Sequence, residues 1–375
     1  MPEHIKQRVE SVDMESRYVF NNDRIHVAIM LGVFIIPTLR SVNLMHSSID
    51  HKGMVVLGEV LKRNTSITEL NLEDNKLRDG GVIELAKVLE VNRTLTSINL
   101  TDNDIRLKGA IALANSFRVN NSVVKVDLSD NRFGGAKGVS ALFDSIKYNV
   151  SIKSFTFCRI LVNDQSAKIF GDSLKVNSTI TSVCLSENKI SDQGAISIAD
   201  AISINLANNI NEIRLNNNNI GDDGILAISK MIARSKTITF INLSSNNFYY
   251  GVASMADALI VNQSVTKLCL SNNKITYDGA TAVANMLKVN KVITNLNLSG
   301  NHIRNAGATS IANMLKENKA ITHLDLSNNS IDDVGVNALL DLLDTNKHIC
   351  DIVLRCNHMT REMREILKCH SVIKI

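Results

Sequence analysis

Few side chains in this sequence have the type and spacing that chemistry requires. His302, His323 and His358 recur at similar places in three successive stretches of the chain, and imidazoles so grouped could ligate zinc. A tetrahedral zinc site needs a fourth ligand, and the sequence offers none beside them. Solvated histidines are the expectation, and no cofactor is called for. Among the six cysteines, Cys184 and Cys269 stand at equivalent positions three internal repeats apart. At the ~4.8 Å spacing of neighbouring strands that separation is about 15 Å, which rules out a disulfide between them. No glycine-rich loop follows a strand in the way a phosphate cradle would. Catalysis needs a nucleophile, a base and an orienting group converging in a cleft. No such set is found, so no catalytic residue is assigned and the chain is not read as an enzyme.

What remains are groups suited to binding. Glu69, Glu73, Asp74, Asp102, Asp127 and Asp130 occupy wet positions of the early strands and the turns after them. Stacked at ~4.8 Å they are expected to form one column, an acidic patch that steers a basic partner. The plainer alternative is a solvated face in which Asp serves as a turn former. The second group is aromatic. The chain has five tyrosines and no tryptophan, yet Tyr249, Tyr250 and Tyr277 fall just past the turns of two adjacent repeats, joined by Phe240 from a wet strand position. Equivalent loops hold Asp, Gln, Arg or Gly, so FYYG at 248–251 departs from the pattern. Large rings with a polar tip are what interfaces favour at their energetic centre. The alternative is local packing: Phe248 takes the ordinary aliphatic place, and one tyrosine, Tyr250 foremost, folds back over a gap left by a shortened repeat of 27 residues.

The elements that must position these groups are copies of one stretch, Ile293 to Ala320. Its Leu296 and Leu298 alternate with Asn295, Asn297 and Ser299, which reads as a short strand with one buried face; Ala308, Ile311, Ala312 and Leu315 recur at three and four, which reads as a helix. Copies begin at Leu39, Ile67, Leu95, Val123, Ile152, Ile180, Ile210, Ile238, Val265, Ile293, Ile321 and Ile349, most of them 28 residues apart. One amide recurs after each strand, as Asn75, Asn103, Asn131, Asn188, Asn218, Asn246, Asn273, Asn301, Asn329 and Asn357. Only Ser47 and Ile160 break the column. An amide has both a donor and an acceptor for turn backbone that burial would otherwise leave unpaired, so these residues are expected to form a structural ladder. The stretch at 152–162 departs most, with Phe155 and Phe157 for strand leucines and Ile160 for the amide, and a local irregularity is expected there.

Charge and hydropathy bound the rest. Forty-one basic residues face 37 acidic ones, a net +4 over 375 residues, so no footprint for nucleic acid is expected. The most apolar run, Val27 to Ile36, is ten residues long and stops at Pro37, too short for a membrane span of ~20 residues. It is read instead as part of an N-terminal helical cap over residues 1–38, with a helix from Asp23. Repeats then fill 39–359, and a C-terminal cap helix with an edge strand fills 360–375. Residues 1–26 are charged and mixed, unlike a secretory signal, so a reducing, cytoplasmic setting is expected, which could be a host cytosol for a pathogen effector.

The repeat signature L-x-x-L-x-L-x-x-N-x-L, the helix in every copy, and the phrases NKISDQGA from Asn188 and NNIGDDGI from Asn218 resemble the ribonuclease-inhibitor class of leucine-rich repeats. The repeat domains of NOD-like receptors and Ran GTPase-activating protein are the families it looks most like, over about residues 39–370. The resemblance implies an α/β fold: a right-handed solenoid, or horseshoe, with a parallel sheet on the concave face and helices on the convex one. It also implies a non-catalytic protein–protein interaction module, here expected as a monomer whose partner is another protein. One alternative is GTPase activation of a Ran-like small GTPase. That family is implied to use an Arg in a lengthened loop after an early strand and an acidic tail; Arg78 and Arg106 sit in early loops, but of standard length, and no acidic run follows the repeats. The other alternative is a structural spacer without a specific ligand.

Overall fold

A computed structural model describes residues 11–13 and 37–375. The helix expected from Asp23, and nearly all of the cap assigned to residues 1–38, lie outside the described residues. The chain divides into two compact units, residues 1–188 with 207–209 and residues 189–206 with 210–375.

Unit one runs β1 (Ser11–Asp13), β2 (Ser41–Asn43), α1 (His51–Leu61), β3 (Glu69–Asn71), α2 (Arg78–Val91), β4 (Ser97–Asn99), α3 (Leu107–Val119), β5 (Lys125–Asp127), α4 (Ala136–Ser145) with a 3-10 turn at Ile146–Tyr148, β6 (Ser154–Thr156), α5 (Asp164–Leu174) and β7 (Ser182–Cys184). Unit two runs α6 (Asp192–Ile204), β8 (Glu212–Arg214), α7 (Asp222–Arg234), β9 (Phe240–Asn242), α8 (Gly251–Val261), β10 (Lys267–Cys269), α9 (Tyr277–Val289), β11 (Asn295–Asn297), α10 (Arg304–Leu315), β12 (His323–Asp325), α11 (Asp333–Thr345), β13 (Asp351–Val353), α12 (Arg361–Leu367) and β14 (Ile373–Lys374). Within each unit the strands pair in parallel with their sequence neighbours, position for position: Glu69 with Ser97, Lys267 with Asn295. This is the α/β repeat solenoid that the periodicity predicts. One strand was not foreseen. β1 pairs in register with β2, Ser11 with Ser41, and its signal is Val9-x-x-Val12-x-Met14, which matches Leu39-x-x-Val42-x-Leu44 thirty residues on.

The core lies between strand and helix. In the repeat from Ile293, the side chains of Ile293, Leu296, Leu298 and Ile303 are buried against Ala308, Ile311, Ala312, Met314 and Leu315 of α10. Contact is close enough to exclude a methyl group at Gly307, where a Cβ would lie 2.5 Å from Ile303 Cγ2 and 2.9 Å from Ala280 Cβ.

Two amide ladders close the repeats. At the strand turns, Asn301 donates from Nδ2 to the carbonyls of Leu270 and Leu298, and its Oδ1 accepts from the N–H groups of Asn273 and Ile275. At the helix ends a second column does the same: Asn290 donates to Leu259 O (2.8 Å) and Asn262 O (3.2 Å) while accepting from Val292 N and Ile293 N. Asn92, Asn120, Asn149, Asn177, Asn262, Asn318 and Asn346 repeat it, a column equally visible in the sequence.

The irregular copy at 152–162 keeps its strand register with both neighbours. Its bulk goes inward, where Phe143 packs on Phe157 and Phe170 with ring centroids 4.9 and 4.7 Å apart. With Ile160 in place of an amide, Phe133 N turns to Ile105 O at 2.8 Å. The extra residue of the preceding copy is taken up by its Gly134–Gly135 turn and the 3-10 turn after α4.

Candidate functional site

Several helices in this chain are capped by a side chain of the repeat before. Asp192, at the start of α6, accepts at Oδ1 from Gly221 N (2.6 Å) and Gly224 N (2.9 Å). Asp222, one repeat on, accepts from Tyr249 N (2.8 Å) and Gly251 N (2.7 Å). Asp79 serves Arg106 N and Gly109 N in the same way, Asp333 serves Thr360 N, and Asn305 serves Asp332 N. A carboxylate at a helix N-terminus satisfies orphan amides and the helix dipole together. In two adjacent repeats of unit two this position holds Tyr250 and Tyr277 instead.

Both tyrosines are open to solvent, Tyr250 at 75 % and Tyr277 at 48 % relative exposure. Tyr249 is the half-buried one, its ring 4.2 Å from that of Tyr250 in an edge-on arrangement. The expectation that Tyr250 would be the ring to fold inward is therefore reversed. Phe248 already fills the core position, so the next ring packs on its neighbour and the last is left outside. Asp222 clamps both ends of the segment, which fixes the loop that presents these rings. Phe240 does not join them. It lies on the strand face, with the Arg214 guanidinium 4.7 Å and the Lys267 ammonium 5.4 Å from its ring centre.

The six acids do not form one column. Glu69 aligns with Ser41 and Ser97, and Asp127 with Asn99 and Thr156, because the two occupy different positions of a three-residue strand. Asp127 Oδ1 is occupied by Ser129 N (3.0 Å) and Ser129 Oγ (2.7 Å), and Glu73 accepts from Asn99 Nδ2 at 2.9 Å. Only Asp74, Asp102 and Asp130 share a row, in the turn just before the ladder amide, all with positive φ near 50°. Aspartate tolerates that conformation better than most side chains, which accounts for its presence. The row is partnered at its ends. His46 pairs with Asp74, and Arg159 bridges Asp130 (2.5 Å) and Glu187 (2.8 Å). In the middle, burial and then the charges of Asp74 and Asp130 push the Asp102 carboxyl up.

The other candidates are scattered. His323 bonds Thr322 and lies 3.3 Å from Asp351, and among the described residues no three metal-ligating side chains come together. Arg106 is engaged by Asp104 at 3.3 Å; Arg78 opens α2 with positive φ. A shallow groove of about 230 Å³ on the strand face of unit two is lined by Lys267, Cys269, Asn295, Asn297, His323 and Asp325 among others. Among the described residues no helix is long and apolar enough to cross a membrane.

Seven segments, residues 63–86, 91–114, 176–199, 207–229, 261–284, 289–312 and 317–340, match a family model described as Leucine Rich repeat. Among solved structures the chain is similar to an internalin, inlF, from Listeria monocytogenes, at 15 % identity over 99 % of this chain and 88 % of that one, with a TM-score of 0.57. It is similar also to a chain of the mouse RP105/MD-1 complex, at 16 % identity over 98 % of this chain and 54 % of that one, with a TM-score of 0.54. Identities this low speak for the fold alone. No curated protein matches significantly. With a strand–helix period of mostly 28 residues, an asparagine ladder at the strand turns and those seven matches, the chain is a leucine-rich repeat protein.

Proposed function

We propose that this protein is a non-catalytic interaction module whose ligand is another protein, and that the ligand is gripped at the tyrosine corner formed by Tyr250 and Tyr277 at the starts of α8 and α9. One observation carries the reading. Two successive repeats do not supply the carboxylate that Asp192 and Asp222 give to the helix after them, and hold solvent-exposed tyrosines in its place. A cap is worth about 0.5–2 kcal/mol, so the fold alone favours Asp there. A rigid ring with a polar tip, held on a clamped loop, suits the centre of a protein interface, where it buries much area for little lost entropy. Tyr249 backs the exposed ring, and Phe240 with its two cations extends the contact surface along the strand face.

The module is proposed to act as a monomer in the cytoplasm, without cofactor or nucleic acid, and its repeats to be of the ribonuclease-inhibitor class. Capture from cytosolic extract, with wild-type and Tyr250→Ala/Tyr277→Ala proteins as parallel baits, tests it. A partner recovered by the first and depleted at least about 30-fold with the second, the equivalent of ~2 kcal/mol, is the expected result. A partner recovered equally by both baits would place the contact elsewhere.

A further inference from the structure

We infer that Cys158 and Cys184 are an oxidisable dithiol, a modification site at which a peroxide closes a disulfide across two neighbouring repeats of unit one. Their sulfurs lie 2.9 Å apart, one two residues past β6 and the other in β7, which are adjacent parallel strands. Both side chains are half-buried.

The repeats supply an internal control. The position of Cys158 is held by Ser129 one repeat before and by Ser186 one repeat after, and that of Cys184 by Asp127 and Thr156 in the two before. In the copy from Val123 the equivalents make the local turn within one repeat, with Ser129 donating to Asp127 at 2.7 Å, whereas the two sulfurs meet across two repeats. The turn therefore needs small polar groups and no sulfur. Two thiols brought face to face add only redox chemistry. The pair also sits where the amide ladder is broken by Ile160, so a bond there would tie β6 to β7 within unit one at a strand turn that has no ladder amide of its own. Contact with the second thiol and burial push the Cys158 thiol up, so the resting state is the protonated dithiol and the first oxidation is slow; once one sulfur is oxidised, the second, 2.9 Å away, closes the bond.

The step balances with hydrogen peroxide. One sulfur, as thiolate, attacks a peroxide oxygen; the O–O bond breaks, the departing hydroxide takes up the proton as water, and a sulfenic acid is left. The second thiol attacks that sulfur, the S–O bond breaks, the S–S bond forms and a second water leaves. Two thiols lose two electrons, which the peroxide gains.

The test uses the whole reduced chain treated with hydrogen peroxide. Thiol titration in denaturant should fall from six to four. A non-reduced tryptic map should join the peptide 154–159 to the peptide 176–189, and dithiothreitol should separate them. Cys158→Ser and Cys184→Ser should each abolish the link; serine is compatible with folding at the first position, as Ser129 and Ser186 show, and a small hydroxyl at the second, as Thr156 shows; Cys269→Ser should leave it intact. The melting midpoint should rise on oxidation and return on reduction, since a cross-link restricts the unfolded chain. Six persistent thiols, sulfinic acid without a cross-link, or a link between other cysteines would overturn the inference.

Discussion

Replacing Asn301 by Leu removes one rung of the strand-turn ladder, and the structure says which of its bonds matter. Asn301 is 3 % exposed and donates to Leu270 O (3.1 Å), Leu298 O (2.9 Å) and Ser299 O (3.2 Å). Each of those carbonyls keeps another donor: Asn273 Nδ2 for Leu270, Asn329 Nδ2 for Leu298 and Asn272 N for Ser299. The N–H groups of Asn273 and Ile275, both 3.1 Å from Asn301 Oδ1, lose their acceptor. Two stranded buried donors at ~1–3 kcal/mol each give roughly 2–6 kcal/mol, and burial of the new methyl groups offsets about 1–2 kcal/mol of it. A net loss of about 2.5 kcal/mol, the difference of the mid-range values, is expected, read from the midpoint and slope of urea unfolding followed by far-UV circular dichroism. Asn295→Ala is the control: that amide is half-buried on the strand face, accepts from Thr294 Oγ1, and should change stability by less than about 0.5 kcal/mol. If Asn301→Leu costs no more than the control, the ladder does not hold the turns.

Gly307→Ala should lower the urea midpoint by the equivalent of ~1–3 kcal/mol, because the new methyl group meets Ile303 and Ala280 well inside contact distance; an unchanged midpoint would mean that α10 can move away from its strand at no cost. Asp102→Asn should stabilise the protein at neutral pH. The folded-state pKa of Asp102 is raised, so its charge carries a penalty that is fully present above that pKa and gone below the unfolded value of ~3.9. The gain should therefore shrink as pH falls through that window, and a gain independent of pH would point to backbone preference at its positive φ rather than to charge.

The fold was legible because its signal is redundant: a strand of three residues is weak evidence alone, but Leu296, Leu298 and Asn301 recur in copy after copy. What the period could not reveal was anything set by two copies together. Asp192 looks like an ordinary helix-start acid, and only the packed repeats show that it caps its successor rather than its own helix. The acids misled for a related reason: Glu69 and Asp127 both sit in wet strand positions, but two residues of strand separate their rows. β1 was missed because Val9, Val12 and Met14 carry no ladder amide after them. Cys158 passed unnoticed since its partner lies 26 residues away, an offset that differs from the 28-residue period. The tyrosines were conspicuous by composition, whereas the cap they displace became visible only from the hydrogen bonds around them.

That displacement supplies the most direct test of the central claim. Tyr250→Asp/Tyr277→Asp puts back the carboxylate that the neighbouring repeats use, while it removes the proposed contact. Melting and partner affinity are measured on the same preparation, with the protein captured by the wild-type bait as ligand. The account predicts that stability rises by about 0.5–2 kcal/mol as the carboxylate at 250 caps α9, while the N–H groups of Arg304 and Gly307 at the start of α10 keep their backbone acceptors, and that Kd for the partner weakens by about 30-fold or more. A fall in stability would show that the rings belong to the core, and an unchanged Kd would show that the tyrosine corner is not where the partner binds.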